Sequence, residues 1–284
     1  MRRIPWHYAA ILIATGALVG ENSARAQTTL DLTTAGASAS STSAPIGAKP
    51  GSSFSVYQDT SQNFGTGFIN SFVRIQQTGN EQGFNTSLGT PLDTKGGNFT
   101  RALATSELAN VVGPGGVAYK EFLLDINQQN NTPNFLLNLN QIQIFQAPAD
   151  TQTYNFNSPG APGTSSTPPV INIPGATEIF RMNNSSTAFQ TILLSGNIQQ
   201  GSGYGDMALL VRADLFTNLP NVILYSQFGN PPGANASNAG FEEWAAVTCG
   251  IKPVPEPSTL AIAGLGALGF GVHAWKRARA RRRA

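Results

Sequence analysis

From residue 54 to residue 249 the chain is a succession of short runs of branched and aromatic residues, each closed by Gly, Pro or Asn, and this punctuation narrows its fold more than any other feature. The runs are Gly67 to Thr78, Ala118 to Asn127, Leu136 to Phe145, Thr177 to Met182, Thr191 to Leu194, Asp206 to Phe216, Val222 to Phe228 and Glu242 to Thr248. In Leu137-Asn138-Leu139-Asn140-Gln141-Ile142-Gln143-Ile144 the alternation puts Ile142 and Ile144 on one face and Gln141 and Gln143 on the other, which predicts a half-buried strand. Helical periodicity is scarce; Arg101 to Val112 has room for one helix, and Asp150 to Pro169, rich in Pro, Ser and Gly, reads as a long loop. No fixed-period repeat marks a solenoid or propeller. The expected fold is all-β: an antiparallel β-sandwich, with a jelly roll as the alternative, formed by one domain over residues 54–249.

The two ends have a different character and are set aside from fold reasoning. Met1-Arg2-Arg3 is basic, Ala9 to Val19 is apolar, and Ala24-Arg25-Ala26 before Gln27 is an A-x-A pattern, so residues 1–26 have the three-part layout of a secretory signal peptide cleaved at Gln27. Residues 27–53 are Ser/Thr/Ala-rich with almost no large apolar side chains, and are expected to form a disordered leader before an ordered domain that starts near Phe54. At the other end Ser258 to Trp275 carries no formal charge with His273 neutral, and as a helix it spans about 27 Å at 1.5 Å per residue, enough for a transmembrane helix. Lys276, Arg277, Arg279, Arg281, Arg282 and Arg283 follow as a basic stop-transfer tail over 276–284, which under the positive-inside bias keeps the tail cytoplasmic and the domain across the membrane.

Val254-Pro255-Glu256-Pro257-Ser258, then a Gly/Ala/Leu-rich apolar stretch, then an Arg-rich end resemble, in that order and spacing, a PEP-CTERM sorting signal, here residues 250–284. The resemblance implies recognition by a membrane-embedded exosortase after passage through the general secretion machinery. It also implies cleavage near the motif and transfer of the domain from a transient membrane anchor to the cell surface or extracellular matrix. The residues suit that handling. Pro255 and Pro257 fix φ and lack donors, keeping the segment extended, while Gly264, Gly266, Gly269 and Gly271 give the helix a small-residue face for a membrane partner or for self-association. Tyr119 to Asn127, Gly203 to Met207 and Gly240 to Trp244 more loosely resemble other PEP-CTERM ectodomains, a likeness that carries no assigned activity.

Charge and residue usage then exclude several kinds of function. The whole chain is +2, but between Gln27 and Pro253 eight Lys/Arg face thirteen Asp/Glu, so this part is −5 and has no nucleic-acid footprint. His7 and His273, the only histidines, lie in the terminal segments, which removes Ser-His-Asp and Cys-His catalysis and histidine-bound metals from the middle. Cys249 is the single cysteine, so no intramolecular disulfide forms; oxidation could pair two chains, but buried free cysteine is commonly inert. No cofactor is implied.

A glycosidase-like carboxylate pair could draw on Glu242, Glu243, Asp206, Asp214 or Glu121, although neighbouring Glu242 and Glu243 on a strand point to opposite faces. Asp125-Ile126-Asn127-Gln128-Gln129-Asn130 offers oxygen ligands for calcium, but without the EF-hand glycine and terminal glutamate it reads as a strand entering a polar turn, and no metal site is assigned. Phe241, Trp244, Tyr225 and Phe228 could form a sugar platform, yet alternating strand aromatics ordinarily belong to a core; Tyr204, in a Gly-rich loop, is the exception. Asn85, Asn98, Asn130, Asn183, Asn184 and Asn235 begin Asn-x-Ser/Thr triplets, as an Asn- and Thr-rich chain produces by chance. The expected role is therefore a non-enzymatic structural protein of the cell surface or of an exopolysaccharide-containing biofilm matrix. The alternatives are a carbohydrate-binding module and, behind it, a glycan hydrolase.

Overall fold

Branched and aromatic side chains at every second position form strands wherever a second apolar surface can cover them. A computed structural model describes residues 26–41, 54–58, 70–128, 135–156, 169–183, 188–198, 205–229 and 235–248, and among these the protein is all-β, its only helical turns being three short 3-10 segments. The strands are β1 (Ala26–Asp31), β2 (Ser38–Ser41), β3 (Phe54–Tyr57), β4 (Val73–Ile75), β5 (Thr78–Gly79), β6 (Glu81–Phe84), β7 (Leu103–Ala104), β8 (Val111–Val112) and β9 (Ala118–Ile126). They continue with β10 (Leu136–Ala147), β11 (Asn155–Phe156), β12 (Ile171–Asn172), β13 (Thr177–Arg181), β14 (Ala188–Ser195), β15 (Met207–Arg212), β16 (Asn221–Phe228), β17 (Ser237–Asn238) and β18 (Glu242–Ala246).

Two seven-stranded sheets carry the fold. The first runs β1-β14-β10-β16-β6, with β13 and β7 completing its edges, and the second runs β2-β3-β15-β9-β18-β4, with β8 on β9. Their inner faces supply one continuous apolar core, to which the first sheet gives Leu139, Ile142, Ile144, Ile192 and Leu224 and the second gives Val56, Phe122, Leu124, Leu209 and Trp244. Phe54 from the second sheet meets Phe180 from the first edge-to-face at 5.4 Å.

Every pairing in the two sheets is antiparallel except the first. Strand β1 joins β14 in parallel, from Ala26 beside Ala188 to Asp31 beside Leu193. The expectation of a disordered leader is corrected here for its described part. Residues 26–31 form this strand, and 38–41 pair with β3, Ala39 opposite Val56. Composition misled because a strand can hold its place by backbone hydrogen bonds to an existing sheet while burying little: Leu32, at zero exposure, is the apolar anchor. Residues 42–53 lie outside the described residues, as do 1–25 and 249–284, where the signal peptide and transmembrane helix are expected.

Two further expectations change. Arg101 to Val112 forms no α-helix; it holds β7, a 3-10 turn over Thr105–Glu107, and β8. Strand β10 is covered on both faces, and Gln141 and Gln143, expected toward solvent, have zero exposure. Across the outer face of the first sheet Phe84, Phe145, Ile223 and Tyr225 build a second apolar cluster, closed by Ile171 and Ile173 from the crossing segment.

That crossing segment is fastened by side-chain amides acting as surrogate backbone. The Gln143 amide donates to Ile171 O at 3.0 Å and accepts from Ile171 N at 2.9 Å, copying both hydrogen bonds of an antiparallel residue pair. Gln141 does the same to Asn183 at 3.5 and 3.0 Å. Asn85 inserts in the same manner against β16, donating to Val222 O at 2.9 Å and accepting from Leu224 N at 2.7 Å. Amides carry a donor and an acceptor at backbone-like separation, so buried Gln and Asn complete a sheet where no strand is present.

Candidate functional site

Strand β18 leads into the last described residues, Val247 and Thr248. Val247 donates its N–H to Glu121 O at 3.0 Å, and Ala109 N–H donates to Val247 O at 2.9 Å. Thr248 closes with an isolated bridge to Leu108. Pro253 follows five positions later. The residues expected to carry sorting, Val254, Pro255, Glu256, Pro257 and Ser258, with the tail cations Lys276 to Arg283, Cys249 and Tyr204, lie outside the described residues. Of the residues expected at an export-cleavage site Ala24 also lies outside, whereas Ala26 and Gln27 open β1 with their backbones beside Ala188 and Phe189.

The candidate carboxylates are dispersed. Glu242 points inward from β18 at zero exposure, while its neighbour Glu243 lies on the opposite face against Arg74. Arg74 itself is held between two rings, 3.4 Å from the Phe99 centroid and 4.6 Å from that of Phe241, an anchorage that gives Glu243 a structural partner. Asp214 pairs with Arg212 at 2.7 Å, and Glu121 accepts from the Tyr57 hydroxyl. Asp206 is buried; its Oδ2 accepts from Ile126 N at 2.8 Å, taking the place of a strand partner. Burial holds the Asp206 carboxyl well above the usual range, with the Asp125 charge adding to the effect. Glu242 and Asp206, enclosed on all sides, offer no surface to a polysaccharide. Among the described residues no three Asp, Glu, His or Cys side chains gather as metal ligands.

The proposed sugar platform is also taken apart by the structure. Trp244, Tyr225 and Phe228 have zero exposure and belong to the core, and Phe241 covers Arg74. A different aromatic series, absent from the sequence expectations, reaches the surface. Phe84 meets Tyr154 at 5.6 Å, Tyr154 meets Phe156 at 5.6 Å, and Phe156 is 39% exposed. Its only sequence signal was two aromatics spaced by one residue in the segment read as a loop. Two of the Asn-x-Ser/Thr asparagines, Asn85 and Asn183, are buried and hydrogen-bonded, so a glycan has no access to them in the folded domain.

In comparison with known families, residues 253–277 match the PEP-CTERM protein-sorting motif. The matched stretch contains the Pro-Glu-Pro triplet, the apolar segment and the first tail cations. No curated protein and no solved structure matches the chain.

Proposed function

We propose that this is an exported, exosortase-processed structural component of the cell envelope or extracellular matrix, presenting a β-sandwich that acts through its surface. The observation that carries the reading is the sorting motif at 253–277, placed a few residues beyond the last described strand of a domain built on one apolar core between two sheets. Within this reading Gln27 begins the mature chain, the helix over 258–275 holds it briefly in the membrane, and the cations from Lys276 to Arg283 stay inside. The bridge between Thr248 and Leu108 holds the last described residue to the domain, five positions before Pro253.

The test is the mass of the protein recovered from the envelope and the medium of its native host. The wild type is expected to end near Pro255-Glu256-Pro257, and a variant with these three residues changed to alanine to keep its tail. Recovery of Arg283 in both overturns the proposal in favour of a permanent membrane protein.

A second reading, a carbohydrate-binding module, is favoured by the Phe84, Tyr154 and Phe156 series, since an exposed ring supported from beneath is what a sugar face stacks on. On a glycan array the full-length protein would then bind at least one polysaccharide, and Phe156→Ala would weaken that binding about tenfold or more, the loss of roughly 1.4 kcal/mol. Absence of binding to every glycan removes this reading and leaves the first intact.

A further inference from the structure

Strand β6 lies at the edge of the first sheet and β18 within the second, and each sends one glutamate into the space between them. Glu81 and Glu242 both have zero exposure. The two carboxyls lie close enough for each to act on the other. Each has one oxygen already engaged: Glu81 Oε2 accepts from Gln77 N at 2.7 Å, and Glu242 Oε1 accepts from Gln128 Nε2 at 3.2 Å. The remaining oxygens, Glu81 Oε1 and Glu242 Oε2, have no partner among the described residues.

Two adjoining buried carboxylates strongly resist both being charged without a cation, and among the described residues no cation acts on them. The charged groups acting on the pair are Asp93, in the turn after β6, and Asp125, on β9, both acidic. The nearby cations are committed elsewhere, Lys95 acting on Asp93 and Arg74 on Glu243. The Ser237 hydroxyl on β17, close to Glu81, donates its proton to Gln77 O at 2.9 Å. A single proton held between Glu81 Oε1 and Glu242 Oε2 makes the one hydrogen bond that satisfies both oxygens and halves the buried charge.

We propose that Glu81 and Glu242 share one proton and form an acid-stable clasp between the two sheets, which loosens when the pair loses that proton at alkaline pH. Two fully buried carboxyls, each with one oxygen left unpartnered, call for the shared hydrogen, and the electrostatics agree. Burial pushes the Glu242 carboxyl well above its ordinary value, with the Glu81 charge next in effect, and burial likewise raises Glu81. The sign of the linkage follows. Both groups ionise near 4.5 in the unfolded chain, so the clasp's contribution is complete below that pH and declines as pH rises through the native value.

Over that window the folding equilibrium constant falls by up to about tenfold per pH unit for one retained proton. Asp206 and Asp93, also raised by burial, add to the same trend, whereas Asp31, lowered by its hydrogen bonds from Thr33, opposes it in acid. The pair is therefore isolated by difference.

The experiment is urea unfolding of the full-length chain in mild detergent from about pH 5 to about pH 8, with and without calcium, for the wild type, Glu81→Gln and Glu242→Gln. In either variant the new amide donates to the surviving carboxylate, so no proton is needed. The wild type is expected to lose stability steadily across the range, and each variant to lose markedly less and to match or exceed the wild type at the alkaline end. If one variant does not fold, the other gives the same reading. Variants whose pH dependence runs parallel to the wild type overturn the proposal. So does calcium that removes the wild-type slope while leaving the variants unmoved, because the pair would then hold an ion rather than a proton.

Discussion

Trp244→Ala will lower the unfolding free energy by about 3–5 kcal/mol, the range found for removing a large aromatic side chain from a close-packed core. Trp244 lies on β18 opposite Leu124 of β9 and Val73 of β4. Its ring is wholly buried, and its indole N–H crosses to the other sheet, donating to Ser226 Oγ on β16 at 3.0 Å. The substitution thus opens a cavity between the sheets and strips a buried hydroxyl of its donor. Trp244→Phe keeps most of the volume and loses the hydrogen bond, and should cost about 1–3 kcal/mol. Urea unfolding followed by circular dichroism measures both, with the midpoint falling and the slope unchanged. A loss below about 1 kcal/mol for the alanine variant would mean that the two sheets do not share the core described.

Gln143→Leu is expected to cost about 2–4 kcal/mol although it places an apolar residue in a buried position. Size is nearly conserved, but Ile171 N and O lose their partner together, and each unpaired buried backbone group costs about 1–3 kcal/mol. Glu178, which also accepts from the Gln143 amide at 2.8 Å, keeps its ion pair with Arg181. Hydrogen exchange localises the damage: the Ile171 amide should exchange far faster in the variant, while amides of β9 and β15 on the other sheet slow or quicken only with global stability. Unchanged protection at Ile171 would show that the crossing segment is fastened by its apolar contacts alone.

The same glutamine marks where the sequence stopped being legible. The alternation in Leu137 to Ile144 assigned a strand and its inner face correctly, because Ile142 and Ile144 need a core whatever else surrounds them. It gave solvent as the fate of Gln141 and Gln143, since polarity is the usual mark of an outward face; that a second layer would cross there depended on residues 169–183, some thirty positions later. Short strands such as β6 escaped notice for a related reason. Glu81-Gln82-Gly83-Phe84 has little β propensity, and its place in the sheet comes from β16, with Phe84 opposite Tyr225. Gly83 is needed there, because a Cβ would overlap the Thr94 side chain. The sorting motif was the reverse case: its order of prolines, apolar run and cations is local, so it could be recognised without any fold, and the family comparison found it at the same place. The carboxylates fell between these extremes. That Glu242 and Glu243 face opposite ways was plain from strand geometry, but that Glu242 would meet Glu81 required knowing which two strands lie across from each other.

The parallel pairing of β1 with β14 has a consequence for time rather than for stability. The first described residues can find their place only when residues 188–195 have arrived, and β3, β4 and β6 likewise wait for β15, β18 and β16. With so much of its pairing between distant parts of the chain, the domain must close large loops before contacts reward it, and its collapse to the native state is slow. A polypeptide of this kind remains threadable while it is being moved through a narrow conduit, since β1 has no partner, and the β2–β3 pair no sheet to join, until most of it has emerged.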